Sequence, residues 1–290
     1  MSLRIYIFIT ILLVFWLKCS EDNPQSPLDD NGNFAVSNGS VTIAGTLDLP
    51  STQGPHPVII IVPGSGMSTR EDAGLATALF VPQGIAVLRY DKRGVGESTG
   101  VFEAPGAETS VRIFADLASD VVALISFLKS LPEIDAEQIG LFGSSQGGWI
   151  VPLVASQSDD VAFTICASGA TNTVGISDYY DLLADDLSLS IEKIIEMLPD
   201  FSGVHGFDPL PHLEALTVPG LWIYGGEDRS NPTQADIAVL EKLITDLGKD
   251  FTILLLPFSN HDLIDVRTNE LDPELIPSLL DWVLTHISIS

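Results

Sequence analysis

The sequence predicts an α/β fold: a mostly parallel central sheet with helices on both faces and a short helical insertion over it. Two observations carry this. Short runs rich in Ile, Val, Leu and Phe recur, most of them unbroken rather than alternating, and longer stretches with apolar residues at three- and four-residue spacing lie between them. Unbroken runs suit strands covered on both faces, and strand, helix, strand in series gives a parallel sheet with right-handed crossovers and ligands at its carboxyl edge.

In chain order, "FAVSNGSVTIAGTLDLP" reads as a hairpin with Asn38-Gly39 at the turn. "HPVIIIVPG", "GIAVLRYD", "IGLFG", "VAFTICAS", "GLWIYGGED" and "FTILLLP" are the further strands. The helices are "EDAGLATALFVPQ", "VRIFADLASDVVALISFLKS", "GGWIVPLVAS" and "PTQADIAVLEKLITDLG"; the second places Ile113, Leu117, Val121, Leu124 and Leu128 on one face. Between "CASGA" and "VPGLWIYGG", about residues 171–217, helical spacing in "DLLADDLSLSIEKIIEML" continues without a strand. Such an insertion at the sheet edge is a cap, with lid and structural readings both open. There is no internal repeat.

The chain has 290 residues, 46% hydrophobic and 18% charged, enough for a sizeable core. Its formal charge of -26, from 39 acidic against 13 basic residues, argues against nucleic acid or an anionic membrane surface as partner, since both require Lys and Arg. The N-terminus is read apart from the fold. One early Arg precedes an apolar run from Ile5 to Leu17, too short to span a bilayer comfortably but suited to a secretory signal over residues 1–18. Cys19 follows at once, where the lipid-modified cysteine of a bacterial lipoprotein would stand, ahead of a polar linker over 19–33. Trp16 and Lys18 depart from the usual Leu and small residue there, so ordinary cleavage and an uncleaved anchor stay open. Cys166, in an apolar strand, is a core thiol, and two cysteines imply no disulfide framework.

The chemistry centres on "IGLFGSSQGGW", where a strand becomes a helix. A phosphate-binding loop would need a lysine that this turn lacks, and a dinucleotide turn would need an acid at the end of the next strand, which ends instead in Ala167, Ser168 and Gly169. The remaining reading is a nucleophile elbow, Gly-x-Ser-x-Gly. The residues two before and two after the serine crowd one another in that sharp turn and must be small. Gly143 and Gly147 flank Ser145 in this way, whereas Ser144 would have Phe142 and Gln146. Ser145 is therefore the candidate nucleophile.

A serine needs a base, and the base needs an orienting acid. "GLWIYGGEDRSNP" ends its strand at Glu227-Asp228, of which Asp228 is preferred because it can turn back toward a histidine, and "FTILLLPFSNHDLID" supplies His261 after the last strand. His56, His205, His212 and His286 are read as surface or structural residues, and Asp262 as structural. The oxyanion donors expected are the backbone N–H of Gln146, at the opening of the helix, and that of Ser65 in the "PGSG" loop, with Gly66 as the alternative.

Together with "PGSGMSTRED", "LRYDKRGVGESTG", "FADLASDVVALISFLKS" and "IDAEQIGLFGSSQGGWIVPLVAS", these residues resemble the α/β-hydrolase superfamily over roughly residues 40 to 290, and within it bacterial carboxylesterases of the serine-aminopeptidase-like branch. The resemblance implies Ser145, Asp228 and His261 as the triad, and a structural turn at Asp91, Arg93, Gly94 and Gly96. Two departures stand out: Pro63-Gly64 replaces the His-Gly of many relatives, and Ser144 replaces their His or Tyr before the nucleophile. The activity expected is an exported carboxylesterase acting on small to medium uncharged acyl esters, with no metal or cofactor. A peptidase of the same fold would need carboxylates in the cap to hold a free amine, and the cap holds Asp178, Asp181, Asp185, Asp186, Glu192 and Glu196. A lipid-anchored binding protein that has lost the chemistry is the third reading.

Overall fold

The computed structural model describes residues 27–289; residues 1–18, read as a secretory signal, Cys19 and the first part of the expected linker lie outside them. Eight strands form one sheet: β1 (Asn33–Asn38), β2 (Val41–Asp48), β3 (His56–Val62), β4 (Ala86–Tyr90), β5 (Ile134–Ser144), β6 (Phe163–Ala167), β7 (Gly220–Gly225) and β8 (Phe251–Leu256). Their order is β1-β2-β4-β3-β5-β6-β7-β8, parallel from β4 to β8, with β1 and β2 antiparallel at one edge. The expected hairpin forms one residue later than read. Asn38 pairs with Val41, so Gly39 and Ser40 make the turn, and Gly39 takes the positive φ of 61° that the position demands.

The unbroken runs behave as strands covered on both faces: Val58, Ile59 and Ile60 of β3 are fully buried, as are Trp222, Ile223 and Tyr224 of β7. On one side lie α2 (Ser110–Leu128), α3 (Gly147–Ala155) and α7 (Thr233–Leu247), and on the other α1 (Gly74–Phe80) and α8 (Leu275–His286). All five residues read as the inner face of α2 are buried. Each closed layer removes apolar surface worth roughly 25 cal/mol per Å², which is why sequence periodicity places these helices so directly.

Between β6 and β7 the chain makes α4 (Val174–Ala184), α5 (Ile191–Met197) and α6 (Leu210–Ala215), with no strand. The helical spacing that runs continuously through "DLLADDLSLSIEKIIEML" is broken in space, because residues 185–190 leave the helix and Ser190 starts a new one by accepting the N–H of Lys193. A small satellite core of Tyr180, Ala184, Ile194 and Leu198 holds α4 and α5 together. After β8, a short hairpin of β9 (Ile264–Asp265) and β10 (Glu270–Leu271), too short to leave a periodic signal, precedes α8.

The sheet order sets up the site. β5 is central, with the loop after β3 on one side of its carboxyl end and the loops after β6, β7 and β8 on the other.

Candidate active site

Ser145 sits between β5 and α3 with φ of 50°, a left-handed conformation that a non-glycine residue holds only when its surroundings impose it. The surroundings are visible atom by atom. A Cβ on Gly143 would lie 2.4 Å from the carbonyl oxygen of Gly147, and one on Gly147 would lie 2.4 Å from that of Val62. Both flanking glycines are thus required by backbone, not by flexible side chains. The turn lifts Ser145 Oγ above the sheet edge, while Ser144 remains the last residue of β5, paired with Ala167.

Ser145 Oγ lies 3.0 Å from His261 Nε2, and His261 Nδ1 lies 2.8 Å from Asp228 Oδ2. With the ring neutral and its proton on Nδ1, the hydroxyl donates to Nε2 and Nδ1–H donates to the carboxylate. The three residues come from the ends of β5, β7 and β8 and span 116 positions of sequence. Of the two acids at the end of β7, it is Asp228 that meets the imidazole; Glu227 is exposed. Asp228 is 1% exposed, and its other oxygen accepts the N–H groups of Ser230 at 2.7 Å and Asn231 at 2.9 Å. A buried carboxylate so supplied with donors is fixed in orientation. For His261, burial disfavours the charged ring, but the hydrogen bond and charge of Asp228, followed by the charges of Asp262 and Asp181, outweigh it and hold its pKa above the ordinary 6.5.

Three supports of this chain were not read from the sequence. Ser168, itself at φ 50°, donates its hydroxyl to His261 O at 2.7 Å. Tyr180 of α4 donates to the main-chain oxygen of Asp228. Gly225 and Gly226 let the histidine loop cross the end of β7, since a Cβ on Gly225 would lie 2.3 Å from the carbonyl oxygens of Ser259 and Asn260. The "YGG" before the acid was the available signal, because paired glycines at a strand end mark a close backbone approach.

At the elbow Gln146 N–H opens toward α3, and the loop after β3 presents Ser65 and Gly66; among the described residues none of these three N–H groups has a hydrogen-bond partner. All three residues line a cleft of about 750 Å³ that also contains Ser145 and His261. Its apolar wall includes Met67, Phe102, Phe114, Trp149 and Val174, and its polar rim Asp178, Asp181 and Asp262. Burial, with Asp181 beside it, pushes the Asp178 carboxyl up. Of the six cap acids named above, Asp178 and Asp181 line this cleft and the other four do not.

The other candidate residues take structural places. Asp91 is 3% exposed and pairs with Arg70 at 2.7 Å, and Arg93 pairs with Asp120 of α2 at 2.7 Å, so both brace the turn after β4. His212 meets Ser156 and stacks on Phe207; His205 meets Thr173. Cys166 is buried beneath Gly148, and burial pushes its thiol up, away from the reactive thiolate.

A mostly parallel sheet with a strained serine elbow, a histidine and an acid at successive strand ends defines an α/β hydrolase, and the chain is an enzyme of that class. It belongs to the family described as serine aminopeptidase, S33, whose profile matches residues 53–197. That span contains the elbow and ends before Asp228 and His261, so their placement rests on the geometry above. The chain is 22% identical over 280 residues to esterase EstD of Thermotoga maritima, covering 83% of this chain and 65% of that protein, less than two thirds of its length. It is 30% identical over 237 residues to a candidate carboxymethylenebutenolidase of Synechocystis sp., covering 78% of this chain and 83% of the relative. Among solved structures, a Pyrococcus furiosus esterase superposes with a TM-score of 0.66 at 16% identity, covering 88% of this chain and 91% of that one, and this establishes the fold alone.

Proposed function

We propose that the protein is a serine carboxylesterase acting on small to medium acyl esters that carry no negative charge. The observation that carries this is the unbroken hydrogen-bond chain from Ser145 through His261 to buried Asp228. Ser145 Oγ attacks the ester carbonyl while His261 Nε2 takes its proton; the imidazolium then protonates the departing alkoxide, leaving an acyl-enzyme on Ser145. His261 next takes a proton from water, whose oxygen attacks the acyl carbon, and returns it to Ser145 as the acid leaves. Asp228 keeps the proton on Nδ1 and stabilises the imidazolium. The N–H groups of Gln146 and Ser65 receive the carbonyl oxygen as it becomes negative.

The cleft supports the substrate class. Phe102, Phe114 and Trp149 offer apolar surface to an acyl or alcohol group, while Asp178, Asp181 and Asp262 oppose an anionic one. No metal or cofactor enters the scheme. The two of these carboxylates that belong to the cap, Asp178 and Asp181, also favour a second reading, an aminopeptidase that holds a substrate's free amine. Turnover of p-nitrophenyl butyrate against an aminoacyl p-nitroanilide separates the two, and loss of ester turnover in Ser145→Ala excludes a binding protein without chemistry. Mapping a fluorophosphonate adduct completes the test: labelling absent, or present away from Ser145, overturns the proposal. The apolar run before Cys19 supports export of the enzyme, with a lipid anchor on that cysteine.

A further inference from the structure

Three consecutive charged residues, Asp91, Lys92 and Arg93, leave the end of β4 in three directions. Asp91 and Arg93 find oppositely charged partners, as described. Lys92 does not: it is 3% exposed, and among the described residues it forms no ion pair. A buried ammonium without a carboxylate is costly, and it is the more notable in a chain with 39 acidic residues. Burial lowers its pKa to about 8. Its three protons go to neutral oxygens instead: Gly64 O and Gln146 Oε1, each at 2.5 Å, and Gly66 O at 3.3 Å.

Those acceptors have one thing in common. Gly64 C=O belongs to the same planar peptide as Ser65 N–H, and in a trans peptide the two point in opposite directions. Drawing the oxygen down onto Lys92 Nζ therefore turns the N–H up, toward the cleft that Gly64, Ser65 and Gly66 line. Gln146 carries the other free N–H, directly after Ser145, and its side chain is bound by the same ammonium. A second tie reinforces the loop, because Lys92 N–H donates to Ser68 O at 3.1 Å. A cationic donor on the carbonyl end also polarises the peptide and makes its N–H a stronger donor. The positive charge, itself buried, sits behind the place where the acyl oxygen becomes negative.

We propose that Lys92 is the positioning residue of the oxyanion hole, one buried ammonium that aims both backbone donors, Ser65 N–H and Gln146 N–H, at the acyl oxygen. This rests on the esterase reading of Ser145. It assigns Ser65 rather than Gly66 as the loop donor, because it is the Gly64–Ser65 peptide that Lys92 grips most closely.

The test compares Lys92→Met, which keeps length and apolar bulk, with the parent enzyme on p-nitrophenyl butyrate and on a trifluoromethyl ketone, which forms an anionic adduct on a serine. The expected result is a fall in kcat of about 100-fold, the scale of losing an oxyanion donor, with KM within about threefold. The ketone's Ki should rise by a similar factor, since it reports the anion and not the substrate. Gln146→Leu removes one of the ammonium's acceptors and should give a smaller loss with the same pattern; it carries the test if Lys92→Met does not fold. Unchanged kcat and Ki in a folded variant, or KM and Ki rising together with kcat unchanged, overturns the proposal while the esterase reading stands. Ester turnover surviving in Ser145→Ala overturns both.

Discussion

The Tyr180 hydroxyl donates to the main-chain oxygen of Asp228 at 2.7 Å, so the first helix of the cap and the acid that orients His261 share one buried bond. Arg229, the next residue, ties the same loop to the cap through the carbonyl oxygens of Ala184, Asp186 and Leu189. Tyr180→Phe keeps the ring in its satellite core and removes only the donor. It should cost about 1 to 2 kcal/mol of stability by leaving a buried carbonyl unpaired, and lower kcat several-fold. Urea unfolding and steady-state kinetics check both; full activity with lowered stability would show that the bond serves the cap alone.

The acid limb of activity follows from His261. The ring must be neutral to accept the serine proton, and its pKa is held above 6.5, so kcat/KM should decline as pH falls through a midpoint above 6.5. Asp181 contributes to that elevation from across the cleft. Asp181→Asn should therefore move the limb to lower pH while the plateau is retained. A pH profile on a neutral ester measures it, and a limb that stays in place removes Asp181 from the electrostatics of the site.

A second titration bears on stability. Asp236 of α7 is fully buried and accepts, on one oxygen, the N–H groups of Thr171 at 2.8 Å and Asn172 at 3.1 Å and the Asn172 amide at 2.8 Å, where the cap begins. Burial nevertheless raises its pKa from 3.8 to about 7. Because the folded pKa is the higher one, the stability the neutral form contributes is present below about pH 4 and is lost as pH rises through about 7. Asp236→Asn lacks this loss. The stability of the variant relative to the parent should rise by about 3 kcal/mol between pH 5 and pH 8, read by urea unfolding at both; a constant difference would mean that Asp236 is ionised throughout.

Gly143→Ala places a methyl 2.4 Å from the Gly147 carbonyl oxygen and 2.7 Å from Val151. Backbone must move to relieve it, which costs about 1 to 3 kcal/mol and displaces the serine. Loss of fluorophosphonate labelling in a protein that still unfolds cooperatively is the expected outcome. Retained labelling would show that the elbow tolerates a side chain there.

The crowding at Gly143 was legible from five residues because it is local, a matter of what one tight turn can hold. Asp228 and His261 were legible for a different reason: the sheet's topology sends successive strand ends to one edge, so their order along the chain predicts their meeting. What escaped the sequence depends on direction in space. Nothing in "YDKRG" says that Lys92 turns inward under the loop while its neighbours turn to Arg70 and Asp120. The positive φ of Ser168, and the reach of Tyr180 from a cap whose packing no periodicity encodes, were hidden in the same way. The two acids at the strand end were separable only by preference, and the structure separates them by burial.

The acidic rim of the cleft affects the end of the reaction as much as its beginning. On the esterase reading, an uncharged ester would enter past Asp178, Asp181 and Asp262 without electrostatic cost, but its hydrolysis would convert the acyl half into a carboxylate, and Lys92, the cation at the floor, already has oxygen partners for its protons. That product would therefore be repelled by the walls that admitted its precursor. Like charges at this range hasten departure and oppose rebinding, so the accumulated acid should be a poor inhibitor and the deacylation step should be hard to reverse.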